Sequence, residues 1–511
     1  MQNGKLLLLN TSVLTVGTIV MRSISVVFNV YLTNKIGSAG IGLFQLVTTV
    51  YGLSVTFASG GVKLGATRLV TEANYYDKSK IRCVTVSCIK YALATGTMAA
   101  VVLFLFSGII SDKWIADERA AISLKILSLS LPAVAVSSAL NGYFTAKKTM
   151  TKYAVVQFVE QLMKILITVV SLTLFGNSGT EYACSAVAFG ITSSEIFSAV
   201  VSCSIFYYEN REKIKSELSV LNKLLHISLP EVTGSGCRSV LLTVEHILIP
   251  IGFKKSGYSQ EKAMSIYGYI HGMALPVILY PSAFISSLSS MLVPELSHIK
   301  LGGNSSKLSA VSDVAIKFTM LFSFGIGIFF FVFSDLVSLA VYNENSSSFY
   351  IKLLAILVPV MYCDMITDGL LKGLDEQAAS MRYNIFDSAI CVILVSVLIP
   401  KYSVGGYIFV LFLSEIINFS LSFNRLIKNI GITVNLIDNI VKPVFGAILC
   451  CGVVHIITAS LCSWVKNNMV LMIITAIGYI VLYVLSLYLF GSVNKADKVL
   501  LKSLMKIRNY A

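Results

Sequence analysis

The chain has 511 residues, of which 56% are hydrophobic and only 13% charged, where ordinary soluble domains carry roughly 25% charge. A water-soluble fold is excluded. The net charge of +14 does not point to nucleic acid, because no basic patch interleaved with aromatics occurs and the surplus is distributed loop by loop.

Apolar runs of about 20 residues, each able to cross a hydrocarbon core of roughly 30 Å, recur along the whole sequence. They fall near 6–32, 39–61, 84–110, 121–144, 153–176, 181–207, 223–252, 264–293, 313–342, 350–372, 380–400, 402–424, 440–463 and 469–491. Lipid offers no water to backbone amides, so these runs are expected as helices; a barrel would alternate in segments of about ten residues. The expected fold class is an all-α polytopic membrane protein of about 14 transmembrane helices. The first span is too long for a signal-peptide core, carries Arg22 and lacks a small-residue cleavage site, so it is read as a mature helix.

Counting Lys and Arg with the amino terminus inside gives 25 in inner loops and 8 in outer ones. The positive-inside rule then places both termini in the cytoplasm of a cell-membrane protein. Lys254, Lys255 and Lys262 form an outer cluster against that trend.

The segment 132–157 (PAVAVSSALNGYFTAKKTMTKYAVVQ) overlays 359–384 (PVMYCDMITDGLLKGLDEQAASMRYN) without a gap, matching Pro132 to Pro359 and Gly142 to Gly369. Six spans are read as duplicated in one orientation, a parallel repeat of the kind that holds substrate between its halves near mid-membrane. This predicts a first six-helix bundle at 1–207, a cytoplasmic linker helix at 208–222, a second bundle at 223–430, and two accessory helices with a basic tail at 431–511.

Span one carries Thr11, Thr15, Thr18, Arg22, Ser25 and Asn29 at alternating intervals of four and three, which puts them on one helix face. Span five repeats the device with Gln157, Gln161, Lys164, Thr168 and Ser171, beside Glu160, and span seven sets Glu231, Arg238 and Glu245 seven residues apart. An ionised group at the bilayer centre costs from about 3 to more than 10 kcal/mol, so such faces are expected to turn to protein or to a water-filled cavity. Each ion pair alone is compatible with helix glue; together the stripes predict one shared cavity. Asp364, Asp368 and Lys372 follow at successive i+4 positions, with Glu195, Asp387 and Glu415 on other spans. Either these acids bind a coupling Na+ or H+, or they neutralise Arg22 and Arg238. His246 and His271 titrate in the right range for proton carriage, yet a lone histidine also serves as a hydrogen-bonded packing residue. Pro230, Pro250, Pro276, Pro281 and Pro294 crowd spans seven and eight, where each permits a kink.

No Walker A, GxSxG or HExxH sequence occurs, so neither an ATPase nor a hydrolase is expected. The ten cysteines lie mostly inside spans without metal-ligand spacing, and neither a metal nor a cofactor is predicted.

The stretch LPAVAVSSALNGYFTAKKTMTKYAVVQFVEQLMKI, the GVKLGATRLVTEA segment and the 228–297 stretch beginning SLPEVTGSGCRSVLL resemble the polysaccharide transporter branch of the multidrug/oligosaccharidyl-lipid/polysaccharide (MOP) exporter superfamily. Within it they are similar to the stage V sporulation B-type and MurJ-type lipid II flippases. The resemblance implies a V-shaped, two-bundle transporter with a cationic cavity and two extra helices forming a groove for a lipid tail. It also implies Arg22 and Arg68 as cavity cations. On this reading Arg22, Arg68 and Arg238 meet a pyrophosphate, Asn29, Gln157, Gln161 and Lys164 meet the sugar, and Glu231, Glu245, Asp364 and Asp368 couple transport to an ion. The expected partners are a lipid-linked oligosaccharide, membrane lipids and wall-synthesis proteins. The competing expectations are a different lipid-linked glycan, a cation-coupled drug antiporter, and a non-transporting scaffold for wall enzymes.

Overall fold

A computed structural model describes residues 2–76, 80–175, 179–210, 219–431 and 435–492. Residues 211–218 of the expected linker, the basic tail from 493 onward and the side chains of Thr11, Thr15 and Thr18 lie outside the described residues. The described residues are helical and contain no strand, as backbone self-satisfaction in lipid requires. Among the described residues, nine helices are long and apolar enough to cross a membrane, or up to twelve if each bent pair is one span. Two of these helices are themselves broken: non-helical residues at Gly37 and Ser403 fall where the sequence separates spans one from two and eleven from twelve. Counting both arms of each is consistent with fourteen.

The contacts divide the chain into two compact units, one holding residues 9–268 with 392–404, the other the N-terminal residues up to 8 with 269–391 and 405 onward. The first contains most of α1 (Gln2–Ser59, kinked at Gly37), α2 (Val62–Tyr76), α3 (Ile81–Ile109), α4 (Ala120–Ser128), α5 (Leu131–Ala146), α6 (Met150–Phe175), α7 (Thr180–Glu209), α8 (Ser219–Lys255) and α9 (Gln260–Tyr267). Helix α6 packs along α7, and α5 packs on α2 and α3. Helix α8 belongs here by contact, resting on α2. Gly61 makes that approach possible: its φ is +68, and a Cβ there would lie 2.5 Å from the Ser228 Cα, so both the left-handed backbone and the lack of a side chain are required.

The second unit contains α10 (Leu275–Leu279), α11 (Ser282–Leu301), α12 (Ser305–Val332), α13 (Ser334–Tyr342), α14 (Ser348–Ala355), α15 (Val358–Gly373), most of α16 (Gln377–Ile430, kinked at Ser403), α17 (Lys442–Leu461) and α18 (Asn468–Leu489). Of the five clustered prolines, Pro281 stands at the 60° bend before α11, whereas Pro230 and Pro250 sit inside the continuous α8. The accessory pair α17 and α18 packs together and onto this unit: Tyr479 and Tyr483 stack with centroids 5.7 Å apart. Their hydroxyls donate to the Gly325 and Leu321 carbonyls of α12 at 2.8 and 2.7 Å.

The duplication is written into the backbone. Left-handed Ala116 (φ 57) and Lys148 (φ 60) of the first unit recur as Asn343 (φ 59) and Asp375 (φ 62) of the second, each 227 positions on, the same offset that carries Pro132 to Pro359. Ser111 Oγ donates to the Asp117 carbonyl at 2.7 Å, and Ser338 Oγ to that of Glu344 at 2.6 Å. The α4–α5 and α14–α15 pairs bend by 44° and 57°, with proline in the first turn of α5 and α15. Gly96 of α3 meets Pro132 and Gly327 of α12 meets Pro359, so a glycine seats each bent span.

Candidate functional site

In the first unit, polar side chains of α1, α6 and α7 meet inside an otherwise apolar bundle. Gln161 Nε2 donates to Ser25 Oγ at 3.1 Å, joining the stripes of spans one and five, and Ser25 in turn donates to the Met21 carbonyl. Arg22 and Asn29 are half-buried on α1. Glu160 and Lys164 of α6 are half-buried and face Glu195 of α7 electrostatically. Tyr51 Oη and Ser130 Oγ, 2.7 Å apart, share a hydrogen bond. Gln157 stands more exposed, one turn from Gln161.

Glu231 and Arg238 are exposed on α8, while Glu245 is half-buried and lies near Tyr267. Seven residues is nearly two turns, a drift of only about 20° per step, so the three lie near one face and differ in burial along its length. Arg68 occupies α2, its side chain 67% exposed and its Nε 3.5 Å from Glu72.

The second unit holds the remaining acids. Asp364 accepts from Asn418 Nδ2 at 3.1 Å and Asp368 from Ser380 Oγ at 2.6 Å. Asp387 accepts from Ser414 Oγ at 2.8 Å and lies beside Glu415 electrostatically. Asp387 follows Glu160 by the repeat offset of 227, so each unit sets an acid of its fifth span against one of its sixth. Asp387 and Glu415 are among the acids whose pattern allows cation binding, and the offset that aligns Pro132 with Pro359, carried three residues past the ungapped overlay, is the signal that pairs Asp387 with Glu160. The first unit's pair is accompanied by Lys164; the matching position is Cys391. Among the described residues, no group of three or more His, Cys, Asp or Glu is arranged to hold a metal ion.

Both histidines have tyrosine partners: His246 Nδ1 lies 2.7 Å from Tyr267 Oη, and His271 Nε2 2.6 Å from Tyr407 Oη. At one end of the second unit, Arg425 donates to Glu376 at 3.0 Å and Asn429 to the same carboxylate at 3.2 Å. These hydrogen bonds, the arginine's first, hold the Glu376 carboxyl below its ordinary range. In the first unit, Lys152 of α6 pairs with Glu209 of α7.

Long apolar helices, a duplicated bent span and polar side chains buried within each unit define a multi-pass helical membrane protein of the transporter fold. It shares that fold with a solved structure of the lipid II flippase MurJ in an inward closed conformation (TM-score 0.72, 15% identity, 95% of this chain and 99% of that one). An inward-facing multidrug MATE transporter of the MOP superfamily is also similar (TM-score 0.63, 13% identity, 81% and 98%). The chain belongs to the polysaccharide biosynthesis protein family, whose sequence model matches residues 7–300. Among curated relatives it is 25% identical to stage V sporulation protein B of Bacillus subtilis over 408 residues, 77% of this chain and 78% of that one. It is 26% identical to the lipid II flippase MurJ of the same organism over 220 residues, 40% of each chain.

Proposed function

We propose that this protein is a flippase that carries an undecaprenyl-linked peptidoglycan precursor such as lipid II across the cytoplasmic membrane by alternating access, in spore-cortex or cell-wall synthesis. The observation that carries the reading is the polar face joining α1, α6 and α7 through Ser25, Gln161, Glu160, Lys164 and Glu195, since burying such groups in a membrane bundle is costly unless they serve a polar passenger. Likeness to stage V sporulation protein B along three quarters of both chains supports a place in sporulation, and the shorter match to the lipid II flippase MurJ supports the substrate class. Arg22 and Arg238 meet the diphosphate, which a planar guanidinium grips with paired hydrogen bonds at any working pH. Asn29, Gln157, Gln161 and Lys164 meet the sugar. Both termini face the cytoplasm, and no catalytic step is involved.

A second reading, cation-coupled export of another lipid-linked glycan or a drug, draws on the acid pair Asp387 and Glu415, which has a cysteine where the first unit has Lys164. Reconstitution into proteoliposomes with lipid II, a teichoic-acid-type lipid-linked sugar and a cationic dye tests both. Translocation of lipid II with the dye excluded is the expected result; dye efflux alone favours the second reading. No translocation of any substrate, with Thr18 and Gln161 closed to cysteine reagents, would leave a scaffold for wall enzymes.

A further inference from the structure

The groove between α2 and the start of α8 is a second place where cations of different helices converge. Arg68 and Glu72 come from α2, and Asn222, Lys223 and His226 from α8, lining one cavity of about 540 Å³ floored by Leu69 and Ile227. Basic residues left by the positive-inside bias are normally dispersed over a solvated face. Here two fixed cations and an imidazole face one carboxylate across a single opening. Their spacing is set by two glycines: a Cβ on Gly61 would meet the Ser228 Cα at 2.5 Å, and one on Gly65 the Leu224 Cδ1 at 2.4 Å, so α2 lies against the α8 backbone at Ser228 and against the Leu224 side chain one turn away.

We infer that this groove binds a phosphate-bearing lipid head group, with Arg68 and Lys223 as the anion ligands, His226 and Asn222 as additional hydrogen-bonding groups, and Leu69 and Ile227 beneath the first carbons of the chain. The inference rests on the flippase reading and adds a loading site to it, on the face that the charge count makes cytoplasmic. Phosphate chemistry of this kind is shared by a prenyl diphosphate and by an anionic phospholipid, and a binding experiment distinguishes the two.

The full chain in detergent is titrated with inorganic diphosphate and with farnesyl diphosphate, and in nanodiscs its association with phosphatidylglycerol is compared with phosphatidylcholine. Arg68→Gln and Lys223→Gln are expected to weaken binding about threefold to tenfold each, the lower end reflecting solvent screening of exposed charges. Arg68→Lys, which keeps the charge, should retain most of the affinity, and Lys428→Gln, an exposed cation of the second unit, should change nothing. Loss confined to the two diphosphates supports the site with a prenyl diphosphate as its ligand; loss confined to phosphatidylglycerol supports it with phospholipid. Unchanged binding in both groove variants, or equal loss in Lys428→Gln, would overturn it. Because binding is read without transport, a chain that binds diphosphate but moves no lipid-linked sugar fails the flippase reading and not this one; normal flipping without groove binding does the reverse.

Discussion

Arg22 on α1 and Arg238 on α8 are both arginine rather than lysine, and that choice carries a testable consequence. Removing either charge eases insertion of its helix but deletes a bidentate phosphate ligand, whose charge-assisted hydrogen bonds are worth about 1.5–3 kcal/mol. Arg22→Ala and Arg238→Ala should therefore reach the membrane at normal levels while flipping falls roughly tenfold or more. Lysine should restore little, having lost the fork. Full flipping in either alanine variant removes that arginine from the site. The acids call for a paired measurement. Asn or Gln at Glu245, Asp364, Asp368 or Asp387 should leave precursor binding intact while abolishing dependence on an ion or pH gradient. If these acids only brace the bundle, folded yield drops instead, and coupling per folded molecule stays normal. Asn418, Ser380 and Ser414, which hold three of these carboxylates, are neutral donors, so neutral replacements keep a hydrogen-bonding partner and favour the first outcome. Glu376 gives a pH test outside the spans. Its carboxyl is depressed by Arg425, so the stabilisation is present above the unfolded value near about 4.3 and is lost as pH falls through the lower folded one. The difference in Tm between the wild type and Glu376→Gln should be constant at neutral pH and close on acidification through that window. A difference that persists below it assigns the effect to something other than the ion pair.

Among the elements, helix contact is fixed by missing side chains. Gly61 combines positive φ with a backbone neighbour at 2.5 Å, so Gly61→Ala adds left-handed strain of about 1–2 kcal/mol to overpacking of about 1–3 kcal/mol. Gly257 has φ +103 with nothing within 4 Å, so Gly257→Ala should cost only the strain. The ordering of Tm in detergent, wild type above Gly257→Ala above Gly61→Ala, checks the separation, and equal losses would refute the close contact of α2 with α8. Such contacts explain what the sequence could and could not reveal. Span positions and the breaks near 37 and 403 are legible because lipid imposes one rule on every apolar run. The repeat is legible as Pro132 over Pro359, and the left-handed residues at 116 and 343 show that the loops were copied with the helices. Burial on α8 is not legible, since a stripe at intervals of seven fixes a face but not what packs against it: Arg238 and Glu231 are exposed, while Gly236, on another face, meets Phe57. Nor is pairing between units of sequence far apart, such as Gln161 with Ser25, readable from either stripe alone, although the two stripes pointed to some shared polar interior.

At the scale of the molecule, two charge signals conflict at the turn near Ser256: Lys254, Lys255 and Lys262 argue locally for the cytoplasm, whereas the count over all loops argues for the exterior. The first unit turns this into a constrained experiment. Gln260 Nε2, just past that turn, donates to the Ala116 carbonyl at 2.9 Å, and Arg119 Nη1 donates to Thr180 Oγ1 at 3.0 Å. Three connections, at 116–119, 179–180 and 256–260, are therefore tied together at one end of the unit and must share one side of the membrane. Lys152 with Glu209 closes the other end. Single cysteines at the exposed Glu118, beside Ala116, and at Gly179 and Ser256, in a background lacking the ten native ones, should all react with a membrane-impermeant maleimide in intact cells, and a cysteine at Lys148 should react only after permeabilisation. Reaction at all four positions reversed would invert the protein and overturn the charge count, leaving the fold unaffected. Disagreement between Glu118 and Ser256 would be more serious, because no orientation of this unit places the two ends of the Gln260 to Ala116 hydrogen bond on opposite sides of a bilayer.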